Sequence, residues 1–269
     1  MSAKNVDIKE LFERGMHYGH LARRWNPKMK SYIYKEQDGI HVLDLTQTQV
    51  ALQEAHNYIK DLVAQGGTIL FVATKKQAKD YVKKTAIELG VPYVTERWVG
   101  GILTNWDTVK KNIDRLNDYK KNGAPQKGLT KKEQLLLAKQ MSRLDLLYEG
   151  LVGINKIPDA LFILDVRRER LAVLEAKRTK VAIVGVCDTN SDPSDVSLVI
   201  PANDDAIKSI EYLVDTVADA IRAGRELAQV ADANKDEAQK QNGKLADTGR
   251  VKSARSPEEE VTKSKKSKD

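Results

Sequence analysis

Four short, predominantly apolar runs constrain the fold more than any other feature of the chain. They are Gly67-Thr-Ile-Leu-Phe-Val-Ala73, Ala160-Leu-Phe-Ile-Leu-Asp-Val166, Val181-Ala-Ile-Val-Gly-Val186 and Leu198-Val-Ile200. A strand with one wet face alternates apolar and polar residues, whereas a run apolar at successive positions suits a strand covered on both faces. Helical patterns lie between these runs. Thr46 to Gln65 places Ala51, Ala55, Tyr58, Ile59, Leu62 and Val63 on one face and stops at Gly66. Lys75 to Leu89 stops at Gly90 and leads into the short strand Pro92-Tyr-Val94. A further helix occupies 168–178, and a long one runs from about Asp204 to Ala228. Glycine just past the last periodic residue is a helix stop signal. Strands alternating with helices close through right-handed crossovers, so the expected fold class is α/β with a doubly wound parallel sheet.

Residues 105–148 break the alternation. In Asn105–Tyr119 the residues Trp106, Val109, Ile113 and Leu116 recur at spacings of 3, 4 and 3; in Thr130–Tyr148 the residues Leu137, Met141, Leu144 and Tyr148 recur at 4, 3 and 4. Thr130 and Glu133 make a capping box at the second start, after the turn-rich segment 121–128. Stripes this narrow are the pattern of an inserted α-helical coiled-coil hairpin, with ordinary core packing as the other reading. The sheet domain is then expected over 1–104 and 149–229, with the hairpin at 105–148. Residues 235–269 hold ten bases, seven acids and almost no large apolar side chain. A segment that buries so little cannot offset its ordering entropy, so 230–269 is expected to be a disordered charged tail.

Charge separates along the chain. The net +7 conceals an acid-free arm at about 17–35, whose five bases lie between His20 and Lys35. Lys110–Arg143 carries ten bases and three acids, and Val181–Glu226 carries nine acids and three bases. A basic stretch without acidic partners points to a polyanion. In Gly19–Tyr34 the bases interleave with Trp25, Tyr32 and Tyr34, so cations for phosphates accompany ring faces for exposed bases. Asn26 and Pro27 argue against a helix there, which makes the segment a loop or arm. The RNA-binding candidates in it are Arg23, Arg24, Trp25, Asn26, Lys28 and Lys30. Lys75 and Lys76 belong to a lysine cluster that also reads as a solvated helix face. Arg97, Asn105, Lys110 and Lys111 lie in and after a patch around Gly100-Gly101. There Trp98 and Trp106 read either as stacking surfaces or as anchors of the hairpin base.

Catalytic signatures are missing. The first buried strand ends in Ala-Thr-Lys-Lys-Gln-Ala at 73–78, without the glycines that let a backbone cradle a pyrophosphate, and no Gly-x-Ser-x-Gly elbow occurs. Neither a catalytic residue nor a cofactor is expected. The single cysteine, Cys187, excludes a disulfide framework and a multi-cysteine zinc site, and points to a reducing cytoplasm. No apolar run approaches a membrane span, and the acidic first residues give no secretory signal. Asp188, Asp204 and Asp205 follow strands and are weak candidates for a hard cation, against the stronger reading of turn chemistry at Asp192-Pro193 and a cap of the last helix by Asn203 or Asp204. His17 and His20 read as packing or RNA-facing residues.

Several stretches together resemble the bacterial-type small-subunit ribosomal protein S2 family. They are GHLARRWNPKMKSYIY, GIHVLDL, LFVATKKQA, ERWVGGILTNW, LTKKE, IPDALFILDV, CDTNSDP and IPANDDAIKSI, in family order from about residue 6 to 228. The resemblance implies a flavodoxin-like sheet domain carrying a coiled-coil hairpin, without catalytic activity. It implies a cytoplasmic structural constituent of the small ribosomal subunit that binds ribosomal RNA and neighbouring ribosomal proteins, among them the largest one, which captures messenger RNA. It implies no membrane and no small-molecule substrate. The alternative is a nucleotide- or metal-binding α/β enzyme using the crevice near Asp188 and Asp204.

Overall fold

A computed structural model describes residues 6–123 and 130–250, with side chains up to residue 231. Five strands form a parallel sheet: β4 (Ile69–Val72), β5 (Tyr93–Val94), β6 (Ala160–Ile163), β7 (Ala182–Cys187) and β8 (Leu198–Pro201), in the order β5-β4-β6-β7-β8. Counted within this sheet the order is 2-1-3-4-5, the flavodoxin-like doubly wound arrangement. The expected fold class therefore holds, and the central strands β4 and β6 are buried at every position.

Period-two geometry divides the apolar runs between two cores. Ile69, Phe71, Ala160, Phe162, Val184 and Val186 face one side; Leu70, Val72, Leu161, Ile163 and Ile183 face the other. The first side is covered by α2 (Leu45–Ala64), α3 (Lys76–Leu89) and the first part of α7 (Ile207–Arg250), through residues such as Leu52, Ile59, Val82, Val214 and Ile221. Phe71 and Phe162 meet edge to face in that core, 5.4 Å apart. The second side receives Ala172, Val173 and Ala176 of α6 (Arg170–Thr179), with Val109, Ile113 and Leu116 of α4 (Trp106–Asn122).

Local chemistry sets the helix ends. Asp44 accepts from Thr46 N at 2.9 Å to start α2, and Gly90 ends α3 in the left-handed region. Thr130 and Glu133 form the expected capping box at the head of α5 (Lys131–Tyr148). α4 and α5 are linked side to side by Lys120–Asp145 at 2.6 Å and Arg115–Gln140 at 3.4 Å. Of the sequence stripe, Val109, Ile113, Leu116, Met141 and Tyr148 are buried. Residues 124–129 of the connection lie outside the described ones.

Two features differ from the sequence reading. Residues 17–43 do not form a plain arm. After α1 (Ile8–Glu13) come β1 (Tyr18–Leu21), short 3-10 turns at Ala22–Arg24 and Pro27–Tyr32, β2 (Ile33–Gln37) and β3 (Ile40–Leu43). These strands make a small antiparallel sheet in the order β1-β3-β2. The second difference is α7, which continues to Arg250 rather than stopping near Ala228. Residues 229–250 are dominated by Ala, Gln, Lys, Glu and Asp with little β-branching, so intrinsic propensity supports a helix there. The chain divides into two units, Met1–Glu226 with the sheet and Leu227–Asp269 with the later turns of α7. The last part of the expected tail, 251–269, lies outside the described residues.

Candidate nucleic-acid interface

The segment from Gly19 to Tyr32 is fastened to the loops that leave β7 and β8. His20 N donates to Thr189 Oγ1 at 2.9 Å and Asn26 N donates to Thr189 O at 2.8 Å. Asn203 Nδ2 donates to Tyr18 O at 2.7 Å, and Asn203 N to Met16 O at 3.1 Å. Gly19 lies so close that an added Cβ would stand 2.5 Å from Thr189 Cγ2 and 2.8 Å from His41 O. Met29 is wholly buried in the second core. Doubly wound sheets place ligands beyond the carboxyl ends of their strands. Here the chain's own backbone lies across the ends of β7 and β8.

This anchorage turns several predicted bases outward. Arg23, Arg24 and Lys30 are exposed, and among the described residues none of the three has an ion-pair partner. Lys28 is exposed too, but pairs with Asp192 at 2.9 Å. That ammonium, helped by Ser194 N, draws the Asp192 carboxyl down to about 2. Asn26 accepts from Lys28 N at 3.0 Å and caps the second 3-10 turn. Trp25 is half-buried with its ring edge-on to His41 at 5.1 Å.

Lys75 lies elsewhere than on the surface. Its ammonium is 12% exposed and contacts Asp205 at 2.6 Å, Asp204 at 2.7 Å and Asp165 at 3.6 Å. Burial disfavours that charge, yet the carboxylates outweigh it and raise the Lys75 pKa. Asp204 is raised as well, by burial first and then by Asp188 and Asp165, with Lys75 opposing. His20 Nδ1 lies 3.0 Å from Asp188 Oδ1 and its Nε2 lies 3.3 Å from Asp205 Oδ2. The Asp188 contact raises the His20 pKa. Asn203 does not cap α7 but closes a turn just before it, accepting from Asp205 N at 2.7 Å and Ala206 N at 2.8 Å, and Asp192 accepts from Ser194 N in the expected turn.

The second predicted patch is built around a buried acid. Glu175 on α6 accepts from Gly101 N at 2.8 Å, Leu103 N at 3.0 Å, Thr104 N at 3.2 Å and the Trp98 indole at 3.1 Å. Burial opposes its ionisation, but these donors prevail and hold its carboxyl below the usual range. Gly101 takes φ +99°, which lets the loop fold back onto the carboxylate. Trp98 is therefore an anchor, and Trp106 packs half-buried against the second core. Arg97, Asn105 and Lys111 remain exposed, and Lys110 is half-exposed at the start of α4. Lys76 is exposed, whereas its neighbours Lys79 and Lys83 pair with Glu96 and Glu149.

Sequence reasoning missed Arg167 and Arg170. They follow β6 and, with Arg24, Trp25 and Asn26, line a cavity of about 610 Å³. Its acidic residues, Asp192 and Asp195, are each paired to a lysine, at 2.9 Å with Lys28 and 2.5 Å with Lys177. The available signal was the Arg-Arg-Glu-Arg run at 167–170, directly after a buried strand. The arrangement presents guanidinium groups around a half-buried indole, chemistry suited to phosphate and an aromatic base. A sequence-family model described as Ribosomal protein S2 matches residues 11–224, about four-fifths of the chain.

Proposed function

The chain belongs to the ribosomal protein S2 family, whose members are structural proteins of the small ribosomal subunit, and we propose that it binds ribosomal RNA and neighbouring ribosomal proteins there, in the cytoplasm, without a catalytic step. The observation that carries this reading is the outward placement of Arg23, Arg24 and Lys30 on a backbone pinned by Thr189 and Asn203. Ordering of the backbone is complete before RNA arrives, so phosphate contacts there cost less entropy than on a mobile tail. Arg167 and Arg170 extend the same basic surface around Trp25, and Lys76, Arg97, Asn105, Lys110 and Lys111 supply further contacts. Lys75 is left out of the contact set because its charge is neutralised within the protein. The paired helices α4 and α5 act as a coiled-coil hairpin that docks RNA or a neighbouring protein, such as the largest, mRNA-capturing small-subunit protein.

An enzyme reading is not favoured, because the arm and the Lys75 ion pairs fill the strand-end crevice that a substrate would use. No helix among the described residues is long and apolar enough to cross a membrane. The test is RNA binding across a salt series. Replacing Arg23 and Arg24 together with Ala should flatten the logarithmic salt dependence by about two units, roughly one per lost phosphate contact. An unchanged slope removes the arm from the interface. Failure of the full chain to co-sediment with small subunits at high magnesium overturns the ribosomal assignment for this protein.

A further inference from the structure

The cavity beside the arm is walled by three segments: the arm at 24–27, the turn after β6 with the start of α6 at 166–174, and the loop after β7 at 190–195. Its volume of about 610 Å³ lies in the ordinary range for sites that enclose a small ligand. Val166, Val173 and Leu174 supply apolar lining beside the Trp25 indole. Among the described residues no ring stacks parallel on that indole; its aromatic neighbour His41 is tilted by 72°. Arg24, Arg167 and Arg170 are exposed on the lining, and among the described residues no carboxylate pairs with any of them. Asp192 and Asp195 are each held by a lysine, so the three guanidinium charges stand unopposed. Arg170 also opens α6, whose N-terminus lacks a side-chain cap and favours an anion.

We propose that this cavity captures a single unpaired nucleotide of the bound RNA, with its base stacked on Trp25 and its flanking phosphates held by Arg167 and Arg170. The inference rests on the RNA-binding reading above and adds which state of the RNA is selected. Paired bases in an A-form helix keep their ring faces stacked on one another, so an indole set in a concavity is reached only by a base that has left the stack. Aromatic rings take such a base whatever its identity, because every base has a π-face. Guanidinium groups bind phosphate through a planar fork and stay charged at every working pH. Asn26 and Asn190, also on the lining, use their Oδ1 atoms within the protein, which leaves their Nδ2 donors for a base edge.

The test uses the full chain and end-labelled RNA hairpins with identical stems, one carrying a single bulged 2-aminopurine, one an abasic bulge and one fully paired. Affinity is read by anisotropy and stacking by quenching of the 2-aminopurine emission. The 2-aminopurine bulge should bind about fivefold or more tighter than the paired hairpin, the worth of one base–aromatic stack, and should be quenched on binding. The abasic bulge keeps the phosphates but should lose the preference. Trp25→Ala should abolish preference and quenching, and Trp25→Phe should retain part of both. The double variant Arg167→Ala, Arg170→Ala should also remove the preference; both side chains are exposed, so it keeps the test informative if Trp25→Ala fails to fold. Equal binding of bulged and paired hairpins by the wild type, or a preference that survives in Trp25→Ala or with the abasic bulge, overturns the pocket while the RNA-binding reading stands. Failure to bind any hairpin overturns both. Displacement of the bulged hairpin by adenosine monophosphate at the hairpin's own Kd overturns RNA as the source of the nucleotide.

Discussion

The Trp98 indole and the Glu175 carboxylate meet at 3.1 Å although 77 positions separate them in sequence. Glu175 thereby ties the loop before α4 to α6, through three backbone N–H groups as well as the ring. Glu175→Ala leaves these donors without an acceptor. An unsatisfied buried donor costs about 1–3 kcal/mol, and partial access to water makes the total about 3–5 kcal/mol, measured by urea denaturation. The carboxyl is held below its unfolded value, so its contribution is present above the ordinary carboxylate range and is lost as pH falls through the folded pKa. Glu175→Gln should therefore flatten the acid limb of stability against pH.

Gly19→Ala tests the seating of the arm. The new methyl would stand 2.8 Å from the His41 carbonyl, which belongs to the backbone and does not rotate away. Overpacking of this kind costs about 1–3 kcal/mol. A lower melting temperature, together with weaker RNA binding although no base was removed, is the expected outcome; unaltered values would show that the arm is not tightly seated.

Asp192→Asn releases Lys28. Both partners are substantially exposed, so a double-mutant cycle with Lys28→Ala should give a coupling of only about 0.2–1 kcal/mol, shrinking in high salt. The Asp192 carboxyl is depressed to about 2, so the coupling is complete above the normal value of 3.8 and disappears as pH drops through about 2. Freed of its partner, Lys28 should add up to roughly one unit to the salt slope of RNA binding.

Cys187 is wholly buried at the end of β7. In the native protein a thiol reagent should leave it unmodified, with labelling following the rate of unfolding in denaturant. Rapid labelling of the folded chain would contradict this placement.

Much of the fold was legible because burial on both sides of a sheet forces continuous apolar runs, as in Ile69–Val72 and Ala160–Ile163. The stripe Val109, Ile113, Leu116 was equally readable, since one face of a helix must repeat near 3.6 residues. Strands β1 to β3 were not. They hold four or five residues each and their pairings are bulged, so no periodic signal accumulates. The arm's bases stood out by composition, but composition could not tell Arg23, which faces solvent, from Lys75, which faces carboxylates. The partners of His20 also lie beyond any local spacing rule, with Thr189 169 positions downstream.

The anchorage of the arm has a consequence for the order of events during synthesis. Tyr18 to Tyr32 leave the ribosome early, whereas Thr189, Asp192 and Asn203, which hold them, are made near the end of the sheet domain. Contacts so distant in sequence close late in folding. A nascent chain thus carries its basic segment for most of its elongation without the platform that shapes it. The RNA contact proposed for the arm would then become available only once β8 has joined the sheet, which would make that contact a report on the completion of the sheet domain.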